Sequence, residues 1–585
     1  MGLSASAWPL IQRLKKRSHV KQIAMTPSAA STLDSPLSEL LVAPARELIA
    51  QSWHPKGLII IVGAIAAVTR LVAPHLKSKE EDPAVLVLDA KAQVFVPLLG
   101  GHRSGAESLA LQLAEEFCGK AVLTGDSISQ GRLAIDAFGD SWGWKRSVAE
   151  EGWKKLSFAQ ARGEILMFEQ SSGSDLWQTS EATQGIIQEV SKEINSGLTK
   201  LDIGPYLNRS CSWHPATLWI GIGCERNTSH SVFERALLEV FKAANLSMNA
   251  VAGVASIVLK KDESSLVRIT SERGWPLKLF RPEELSEVQV PNPSSLVESE
   301  VGTSSVAEAS ALLAAGVGGV LRNEKQVFHS QGNESGALTI AITEAIRPFA
   351  PHLGELHLVG SGPGDLSFLT PDARAALSRS VVWMGYERYL DLLEPLRRPD
   401  QVRINGQLTK EIERCSQALK LAQEGIRVAM VSSGDSGIYG MGGLVLERWL
   451  EINERDRPNL QFHPGLTAVQ IAAAKVGAPL MLDFCTISLS DRLTPWETIE
   501  SRLRNAAEGD FVVALYNPQS EGRRWQLQRA LEILQAYRSG NTPVVVARQL
   551  GREGEEINLR TLAKVSVSEV DMLTLVLIGN STTYL

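Results

Sequence analysis

The sequence lacks the cysteine clusters and the excess of charge that mark several common classes of protein. Its 585 residues include only five cysteines, and none of these lies within four residues of another. A zinc ribbon or an iron–sulfur cluster needs clustered thiolates, so both are excluded, and no protein-bound metal is expected. The formal net charge of -6 at pH 7 gives no general attraction to nucleic acid. Reduced, mostly buried thiols are typical of a cytoplasmic protein.

A long apolar run is also missing. The run at residues 57–68 is closed by Thr69 and Arg70, well short of the roughly 20 residues that a membrane-spanning helix needs. We therefore expect no membrane partner and interpret this run as a buried strand leading into a helix. Residues 1–30 contain no Asp or Glu and carry a basic patch, but no long apolar core follows that patch. Residues 1–50 are expected to form a disordered leader.

The remaining chain predicts several α/β domains. Hydrophobic residues make up 44% of the sequence and charged residues 21%, which is ordinary for a globular protein. Apolar runs of strand length alternate with stretches of helical spacing, as in sheets covered by helices. The predicted strands lie at residues 58–62, 85–89, 94–98, 218–222, 355–359, 380–384, 428–431, 511–516, 543–547 and 574–578. The predicted division is a leader at 1–50, an α/β domain at 51–135, a less regular middle domain at 136–215, an α/β domain at 216–345, a linker at 346–353 and a regularly alternating α/β domain at 354–585.

A glycine-rich loop directly follows a predicted strand at residues 355–359. Its sequence is Gly360-Ser361-Gly362-Pro363-Gly364-Asp365, and glycines there allow a sharp turn and a close approach to a ligand. A dinucleotide-binding fingerprint would run straight into a helix. Here the next helix is predicted only near Thr370, as N-cap, with Pro371 at its first position. The motif therefore disfavours binding of a nicotinamide cofactor.

Three further polar loops follow predicted strands in the same domain. They lie at residues 432–440, 463–468 and 516–518, and their sequences are SSGDSGIYG, HPGLTA and YNP. Ligands of α/β sheets bind at the carboxyl ends of strands, where such loops meet. Four loops of this kind favour a ligand site more strongly than any one of them.

These loops resemble the tetrapyrrole methylases. The matching order is GxGPGD with LTPDA, then SSGDxGIYGM, then PGLTAxxxAAAxxGAPL. Asp483-Phe484, the run ISLSDRLTPWE at residues 487–497 and Tyr516-Asn517-Pro518 are similar to the precorrin-3B C-17-methyltransferases in particular. The resemblance covers residues 354–582, with Ser436 standing where the family usually has proline.

The resemblance implies a fold of two α/β lobes, a homodimer formed through this domain, and an active site in a trough between the lobes. It also implies S-adenosyl-L-methionine as the methyl donor and a tetrapyrrole (precorrin) as the substrate. Asp365 is the candidate general acid for a ring contraction, with ordering of the backbone as the alternative role. Arg548 and Arg552 are candidates for binding substrate carboxylates, with a solvated surface position as the alternative. The residues expected to hold the cofactor are Pro363, Gly434, Asp435, Ile438, Thr467, Ala468 and Tyr516.

The N-terminal half carries its own polar residues. The turn at residues 100–103 places His102 and Arg103 before a predicted helix, where a ring nitrogen and a guanidinium can face an anionic group. Cys224 follows a predicted strand, and Glu263 ends the run KKDE. No GxSxG or HExxH motif is present, so the residues alone assign no hydrolytic mechanism.

Residues 50–342 resemble the cobalt-precorrin-5A hydrolase family, with Glu107 and Val258 among the departures from its pattern. The resemblance implies opening of a δ-lactone and release of a two-carbon fragment. The catalytic candidates are His102, Arg103 and Glu263. His102 would activate water directly or by orienting Glu263, and Arg103 would stabilise the developing carboxylate.

The sequence therefore predicts a bifunctional enzyme of corrin-ring, or cobalamin, biosynthesis, in which any cobalt is carried by the substrate. One alternative keeps the methyltransferase but makes the N-terminal half a non-catalytic tetrapyrrole-binding or scaffold module. The other is a nucleotide-binding oxidoreductase, which the interrupted glycine motif disfavours.

Overall fold

The structure is a computed structural model. It describes residues 1–16, 20–31, 33, 39–55, 57–78, 81–100, 106–117, 119–123, 131–148, 150–188, 200–207, 211–407, 410–492, 494–520 and 524–584. Within those ranges, no helix has the length and apolar character needed to cross a membrane. The described chain forms separate β-sheets flanked by helices, which confirms the predicted α/β class.

The N-terminal α/β unit contains a two-stranded parallel sheet and a four-stranded sheet. Its strands are β1 (Ile23–Met25), β2 (Leu40–Val42), β3 (Leu58–Val62), β4 (Ala84–Leu88), β5 (Val94–Leu99) and β6 (Lys120–Ala121), and its helices are α1 (Trp8–Lys15), α2 (Pro27–Ala30), α3 (Ala45–Ser52), α4 (Ile65–Val72) and α5 (Ala106–Glu116). β1 and β2 form the two-stranded sheet. The order of the four-stranded sheet is β3-β4-β5-β6, with β4 and β5 antiparallel and the other pairs parallel. The predicted strands and the predicted helix after residue 105 are present.

The described part of residues 1–50 is folded, contrary to the expected disordered leader. Leu10, Ile11 and Leu14 on one face of α1 are at most 5% exposed and share a hydrophobic core with residues of β3, β4 and β5. The basic patch does not oppose this packing, because Arg13 on α1 stacks over the ring of Phe117 at 4.3 Å. The helical spacing of the three apolar residues outweighs the unusual charge composition of this segment.

The middle domain is more regular than its sequence suggests. Its strands are β7 (Lys145–Arg146), β8 (Leu166–Gln170), β9 (Ile186–Gln188), β10 (Lys200–Ile203) and β11 (Cys211–His214), and its helices are α6 (Phe138–Ser141) and α7 (Glu150–Ala161). The order is β7-β11-β10-β8-β9, parallel except for β7. Its core is aromatic, with Phe138 contacting Trp144, Trp177 and Trp213 at ring distances of 5.8, 5.2 and 5.7 Å. Short strands packed by tryptophan give little periodic signal.

The third α/β domain has a mixed five-stranded sheet. Its strands are β12 (Leu218–Cys224), β13 (Val251–Ile257), β14 (Leu277–Phe280), β15 (Val320–His329) and β16 (Ala337–Glu344), and its helices are α8 (His230–Ala243), α9 (Ser264–Arg273), α10 (Pro282–Ser286), α11 (Ser295–Val301) and α12 (Ala307–Ala315). The order is β14-β13-β12-β16-β15. The pairs among β12, β13 and β14 are parallel, so the carboxyl ends of these strands meet at one edge.

The C-terminal domain has two lobes. The strands of the first lobe are β17 (Glu355–Gly360), β18 (Val382–Tyr386), β19 (Val402–Gly406), β20 (Arg427–Ser432) and β21 (Asn459–His463), and its helices are α13 (Pro371–Arg379), α14 (Glu387–Leu393), α15 (Glu411–Gln423) and α16 (Gly442–Glu451). The strands of the second lobe are β22 (Phe484–Ser488), β23 (Val512–Tyr516), β24 (Pro543–Arg548), β25 (Glu556–Thr561) and β26 (Thr574–Ile578), and its helices are α17 (Ala468–Val476), α18 (Trp496–Glu508) and α19 (Gln526–Gln535).

The strand order of the first lobe explains why the polar loops meet. The order is β19-β18-β20-β17-β21, and all pairs are parallel. The carboxyl ends of β20, β17 and β21 are therefore neighbours, and each is followed by one of the polar loops. The second sheet has the order β22-β23-β26-β24-β25, and its strand β23 ends at Tyr516.

The two halves of the chain are in close contact. The middle domain and the first lobe share one hydrophobic core, and a Cβ placed on Gly143 would lie 2.9 Å from the Cα of Gly425. The segment predicted as a linker is packed between them. Phe349 donates its backbone N–H to Ala216 at 2.8 Å, and Ala350 donates to Gln423 at 2.8 Å. The C-terminal domain therefore rests on an apolar surface that the N-terminal half supplies.

Candidate functional site

Glycines lock together the loops that follow β17, β20 and β21. Gly362 and Gly434 exchange two backbone hydrogen bonds, of 3.1 and 2.8 Å, and have φ angles of 73° and 65°. A Cβ on Gly360 would lie 2.6 Å from the backbone nitrogen of Gly465, and one on Gly465 would lie 2.0 Å from the carbonyl oxygen of Gly434. Side chains at these positions would force the loops apart, so the glycines are required by this close approach.

Asp435 ties two of these loops to each other. One carboxylate oxygen accepts the backbone N–H of Gly437 at 2.8 Å, and the other accepts the backbone N–H of Gly465 at 3.0 Å. Hydrogen bonds to a charged acceptor are stronger than those between neutral groups. Asp435, predicted as a cofactor residue, therefore shapes the loops through hydrogen bonds from backbone N–H groups to its carboxylate.

Thr467 and Tyr516 join the third loop to the second lobe. Their hydroxyl groups form a hydrogen bond, and the Tyr516 hydroxyl also accepts the backbone N–H of Val469 at 3.1 Å. Burial raises the pKa of Tyr516, so the hydroxyl stays protonated and can donate. Thr467 forms a capping box with Gln470, and Ala468 is the first residue of α17. The structure thus brings together the residues predicted from both lobes.

One side of this junction is exposed to solvent. A Cβ on Gly434 would make ordinary contacts with Thr467, at 3.8 Å from its Cα and 4.0 Å from its hydroxyl oxygen. Ile438 and Tyr439 are 39% and 48% exposed, and the Tyr439 ring lies 5.2 Å from that of Tyr516. Apolar side chains that reach solvent next to fixed polar groups are typical of small-molecule sites. The residues present therefore fit a ligand with both polar and apolar parts.

Arg552 from the second lobe fastens the first glycine loop. Its Nε donates to the carbonyl oxygen of Pro363 at 2.8 Å, and Nη2 donates to the hydroxyl of Ser433 at 3.4 Å. Burial lowers the pKa of Arg552 from its ordinary value. Arg548 pairs with Asp571 at 2.8 Å. Both arginines, predicted to bind substrate carboxylates, thus have protein partners in this structure.

Asp365 orders the turn in which it lies. Its carboxylate accepts the backbone N–H of Ser367 at 2.7 Å as the N-cap of a short 3-10 helix. This hydrogen bond lowers the pKa of Asp365. A carboxyl group that is ionised at neutral pH is a poor proton donor, so the geometry favours the ordering role over general-acid catalysis.

In the N-terminal half, His102 and Arg103 lie outside the described residues, whereas Glu263 is well placed. The Glu263 side chain is 2% exposed, and the residue stands at the N-cap position of α9 without a capping hydrogen bond to its carboxylate. Its Oε2 accepts the backbone N–H of Asn227 at 3.3 Å and lies 3.9 Å from Nη1 of Arg226. Its Oε1 is buried and has no hydrogen-bond partner among the described residues. Such a group carries a desolvation cost that a bound ligand or water would relieve.

Cys224 ends β12 near this carboxylate. Burial raises the pKa of its thiol to about 11, so the thiolate is not populated at neutral pH. A nucleophilic cysteine needs a lowered pKa. Cys224 is therefore unsuited to nucleophilic catalysis.

Sequence reasoning missed a buried polar chain beneath the cofactor loops. His357 and His463 are 0% and 4% exposed, and their rings are joined by a hydrogen bond of 3.0 Å. Glu355 contacts the free nitrogen of His357 at 2.9 Å, and Asp372 contacts that of His463 at 2.7 Å. The available signal was a histidine between two leucines in a predicted buried strand, since an apolar strand rarely carries an ionisable residue without a partner.

Comparison with known families gives three matches along the chain. The profile described as "Tetrapyrrole (Corrin/Porphyrin) Methylases" matches residues 355–566. The profile described as "Cobalamin synthesis G C-terminus" matches residues 218–343, and "Cobalamin synthesis G N-terminal" matches residues 47–127. The matched regions contain the interlocked polar loops of the first lobe and Glu263.

Individual relatives match the C-terminal domain. A "Probable cobalt-factor III C(17)-methyltransferase" of Salmonella typhimurium is 47% identical over 39% of this chain and 94% of its own length. A "Precorrin-3B C(17)-methyltransferase" of Sinorhizobium sp is 41% identical over 39% of this chain and 90% of its own length. A solved structure, "Crystal structure of the methyltransferase CobJ", is 37% identical over 40% of this chain and 96% of its own, with a TM-score of 0.38.

The matching profile and relatives place this two-lobed α/β domain among the methyltransferases. The chain belongs to the tetrapyrrole methylases, and it carries both cobalamin synthesis G domains ahead of its methylase domain.

Proposed function

We propose that this protein is a bifunctional cytoplasmic enzyme of corrin-ring biosynthesis. Its methylase domain methylates C-17 of precorrin-3B, or of its cobalt form, with ring contraction, and its N-terminal half opens the δ-lactone of cobalt-precorrin-5A. The observation that carries the first activity is the glycine-locked junction of Gly434, Thr467 and Tyr516. Identity of 47% to a relative named for C-17 methylation, over 94% of that relative, supports the choice of reaction.

S-adenosyl-L-methionine supplies an activated methyl group on a positively charged sulfur, which is a good leaving group. The chain therefore has mainly to bind and orient the two reactants. The backbone at Gly434 and Asp435 and the side chain of Ile438 would hold the cofactor from one side. Thr467, Ala468 and Tyr516 would hold it from the other, and Pro363 would lie near it. No nucleic acid, membrane or protein-bound metal is required, and any cobalt enters with the substrate.

Glu263 is the group in the described part of the N-terminal half that best suits lactone opening. Water must lose a proton as its oxygen bonds to the acyl carbon, while the ring C–O bond breaks to leave a carboxylate and a hydroxyl group. The unpaired Oε1 of Glu263 can accept that proton. His102 and Arg103 remain predicted partners in this step, as water activator or orienting group and as the stabiliser of the new carboxylate.

A homodimer through the methylase domain is supported by an exposed apolar patch. Met481, Leu482 and Leu559 are 81%, 53% and 48% exposed and border a cavity of about 300 Å³. Monomeric proteins rarely expose large apolar side chains in one place. A second copy of the chain would cover them. Sedimentation of the whole protein should show a dimer, and Met481→Glu should weaken it; a monomeric wild type would contradict the proposal.

The direct test is to incubate the whole protein with S-adenosylmethionine and either metal-free or cobalt-containing precorrin-3. We expect the product to gain one methyl group, and the substrate that is converted faster is the preferred form. Product of unchanged mass from both substrates would overturn the methyltransferase assignment. Cobalt-precorrin-5A is the matching substrate for the N-terminal half. Release of acetaldehyde is expected, whereas its absence would favour a non-catalytic tetrapyrrole-binding or scaffold module.

The oxidoreductase alternative has less support. After the glycine loop the chain forms a short 3-10 helix at Leu366–Phe368, and α13 begins only at Pro371 with Thr370 as its N-cap. No α-helix begins directly after the glycines, as a dinucleotide-binding motif requires. A titration with NAD that shows no binding would exclude the oxidoreductase alternative.

A further inference from the structure

Four ionisable side chains form a continuous hydrogen-bonded chain through the first lobe. Its order is Glu355, His357, His463 and Asp372, with contacts of 2.9, 3.0 and 2.7 Å. The two histidines in the centre are buried, whereas the carboxylates at the ends are partly exposed, Glu355 by 31% and Asp372 by 60%. None of these residues contributes to the cofactor contacts proposed above.

Counting hydrogens fixes the protonation state of this chain. An ionised carboxylate only accepts hydrogen bonds, and a neutral imidazole has one N–H donor and one acceptor nitrogen. Three hydrogen bonds in a row between two carboxylates need three N–H hydrogens. Two neutral histidines provide two. With both carboxylates ionised, the histidine pair must therefore carry one additional proton.

The groups around the two histidines differ. Burial lowers the pKa of His357, and the Arg379 guanidinium nearby lowers it further, against the opposing effect of Glu355. Glu355 accepts a hydrogen bond from His357, which lowers the pKa of Glu355, and Arg427 and Arg379 lower it further. The carboxylate of Asp372 faces His463, and no second cation is in contact with it in the described residues. Asp372 is therefore available to balance a positive charge on the histidine pair.

The hydrogen-bonded series of side chains adjoins one of the proposed cofactor loops through His463. His463 is the last residue of β21, and the next residues are Pro464 and Gly465. The hydroxyl of Thr370 donates to the carbonyl oxygen of Pro464 at 3.0 Å, so the start of α13 holds the loop at two points, through Thr370 and through Asp372. The N–H of Gly465 in turn meets Asp435. A shift of His463 would therefore be passed to the glycine-locked junction.

We propose that His357 and His463 share one proton, and that this proton holds the loop at residues 463–468 in its cofactor-binding arrangement. The inference rests on the proposed function, because it assigns a positioning role within the same cofactor site. Without the proton, one of the three contacts brings two acceptor atoms together with no hydrogen between them. The loop then loses one of the hydrogen bonds that hold it. Cofactor affinity should therefore fall as pH rises and the pair loses this proton.

Calorimetry with S-adenosylhomocysteine, in two buffers of different ionisation enthalpy, measures both the affinity and the protons taken up on binding. For the whole wild-type protein we expect uptake approaching one proton at about pH 8, and affinity about threefold or more weaker than at about pH 6. Wild-type binding without proton uptake across this range would overturn the proposal.

Asp372→Asn gives the sharpest variant. The new amide N–H can donate to a neutral His463, so all three hydrogen bonds form without the additional proton. We expect this variant to bind S-adenosylhomocysteine with little pH dependence and no proton uptake. The matched control is Asp391→Asn, since Asp391 is 58% exposed, similar to Asp372, and pairs with Arg403 instead. The control should take up as many protons on binding as the wild type. The same proton uptake by Asp372→Asn would contradict the shared proton.

Spectra of the ligand-free protein separate this inference from the function itself. With ¹⁵N-labelled histidine, we expect one imidazolium signal at about pH 6 that Asp372→Asn shifts to lower pH, because the amide cannot compensate a charge. Two neutral rings in the wild type at that pH would contradict the inference. Absence of any S-adenosylhomocysteine binding by the wild type would contradict the proposed function, and with it the positioning role.

Discussion

In the methylase domain, loops at the carboxyl ends of strands satisfy one another's hydrogen bonds, whereas Glu263 in the N-terminal half keeps a carboxylate oxygen unpaired among the described residues. Both places are strand ends of a parallel α/β arrangement. In the first, Asp435 has both oxygens occupied by backbone N–H groups. In the second, one oxygen of a side chain that is 2% exposed remains available.

The difference corresponds to the chemistry that each half would perform. Transfer of an already activated methyl group needs a rigid cradle and little acid–base help, so polar groups can be used to fix the backbone. Opening a lactone needs a group that can take a proton from water, and such a group must keep a free lone pair. A carboxylate whose oxygens all accept hydrogen bonds, such as Asp435, suits positioning. A carboxylate with an unpaired oxygen, such as Glu263, suits proton transfer.

The variant with the largest expected effect is Glu263→Gln. The amide cannot accept a proton from water, so acetaldehyde release from cobalt-precorrin-5A should slow by about 100-fold or more. Methylation by the C-terminal domain should be unchanged. Asp262→Asn is the matched control, because Asp262 is the adjacent residue and is 65% exposed. Equal rates for wild type and Glu263→Gln would limit this carboxylate to a structural role, as the acceptor of the Asn227 backbone N–H.

Gly465→Ala tests the opposite side of the comparison. Its Cβ would stand 2.0 Å from the carbonyl oxygen of Gly434, so the loops must separate. Overpacking of this kind costs about 1–3 kcal/mol or more, and we expect affinity for S-adenosylhomocysteine to fall by about 100-fold. Gly443→Ala is the control, since a Cβ there meets nothing within 4 Å. Calorimetry that gives equal affinities for both variants would show that the loops are not locked by glycine.

Glu424→Gln tests the contact between the two halves of the chain. Oε1 of Glu424 lies 3.8 Å from Nη1 of Arg347, which belongs to the connecting segment. Burial raises the pKa of Glu424 from 4.5 to about 7. The folded protein therefore binds more protons than the unfolded chain between these values, and stability is lost as pH rises through them. At about pH 8 the variant should be more stable by about 2 kcal/mol, and at about pH 5 by less than about 1.

Thermal unfolding at the two pH values measures the Glu424 effect. The control is Glu413→Gln, whose side chain is on the same helix, α15, and is 72% exposed. It should leave the unfolding temperature unchanged at both pH values. A stabilisation by Glu424→Gln that is as large at the lower pH would show that ionisation of this carboxyl group is not its cause.

Gly434→Val has the smallest expected effect. Gly434 has a φ of 65°, which a β-branched residue adopts only with strain, although a Cβ there would make only ordinary contacts. Affinity for S-adenosylhomocysteine should therefore fall by about 10-fold, less than for Gly465→Ala. A reversed order of the two variants would mean that the local conformation matters more than the contact between loops. Unchanged affinity in a folded Gly434→Val variant would contradict the placement of the cofactor.

The strands that could be predicted in the C-terminal domain were those in sheet interiors. β17, β18, β20, β23, β24 and β26 were predicted, and each has a neighbour on both sides. β19, β21, β22 and β25 were not, and all four are sheet edges. An edge strand is partly exposed, so its sequence mixes polar and apolar residues, as in Asn459–His463. Interior strands are buried on both faces and give continuous apolar runs.

The candidate site shows the same division between local and long-range information. The sequence predicted the cofactor loops because each follows an apolar strand directly. It did not predict that Glu355, His357, His463 and Asp372 would join, because residues 357 and 463 are neighbours only through the pairing of β17 with β21. Glu263 was predicted as a site residue. The sequence could not show that Asn227, in another loop, bonds one of its carboxylate oxygens and leaves the other unpaired among the described residues.

A crystal structure of the whole protein with S-adenosylhomocysteine would test the central claim most directly. We predict that the ligand lies beside Gly434, contacting the backbone at residues 434–438 and the start of α17 at Thr467 and Ala468, with Tyr516 at its other side. The loops should move little on binding, because their hydrogen bonds are already made. Ligand bound elsewhere, or loops that separate to admit it, would contradict the account of a cradle formed in advance.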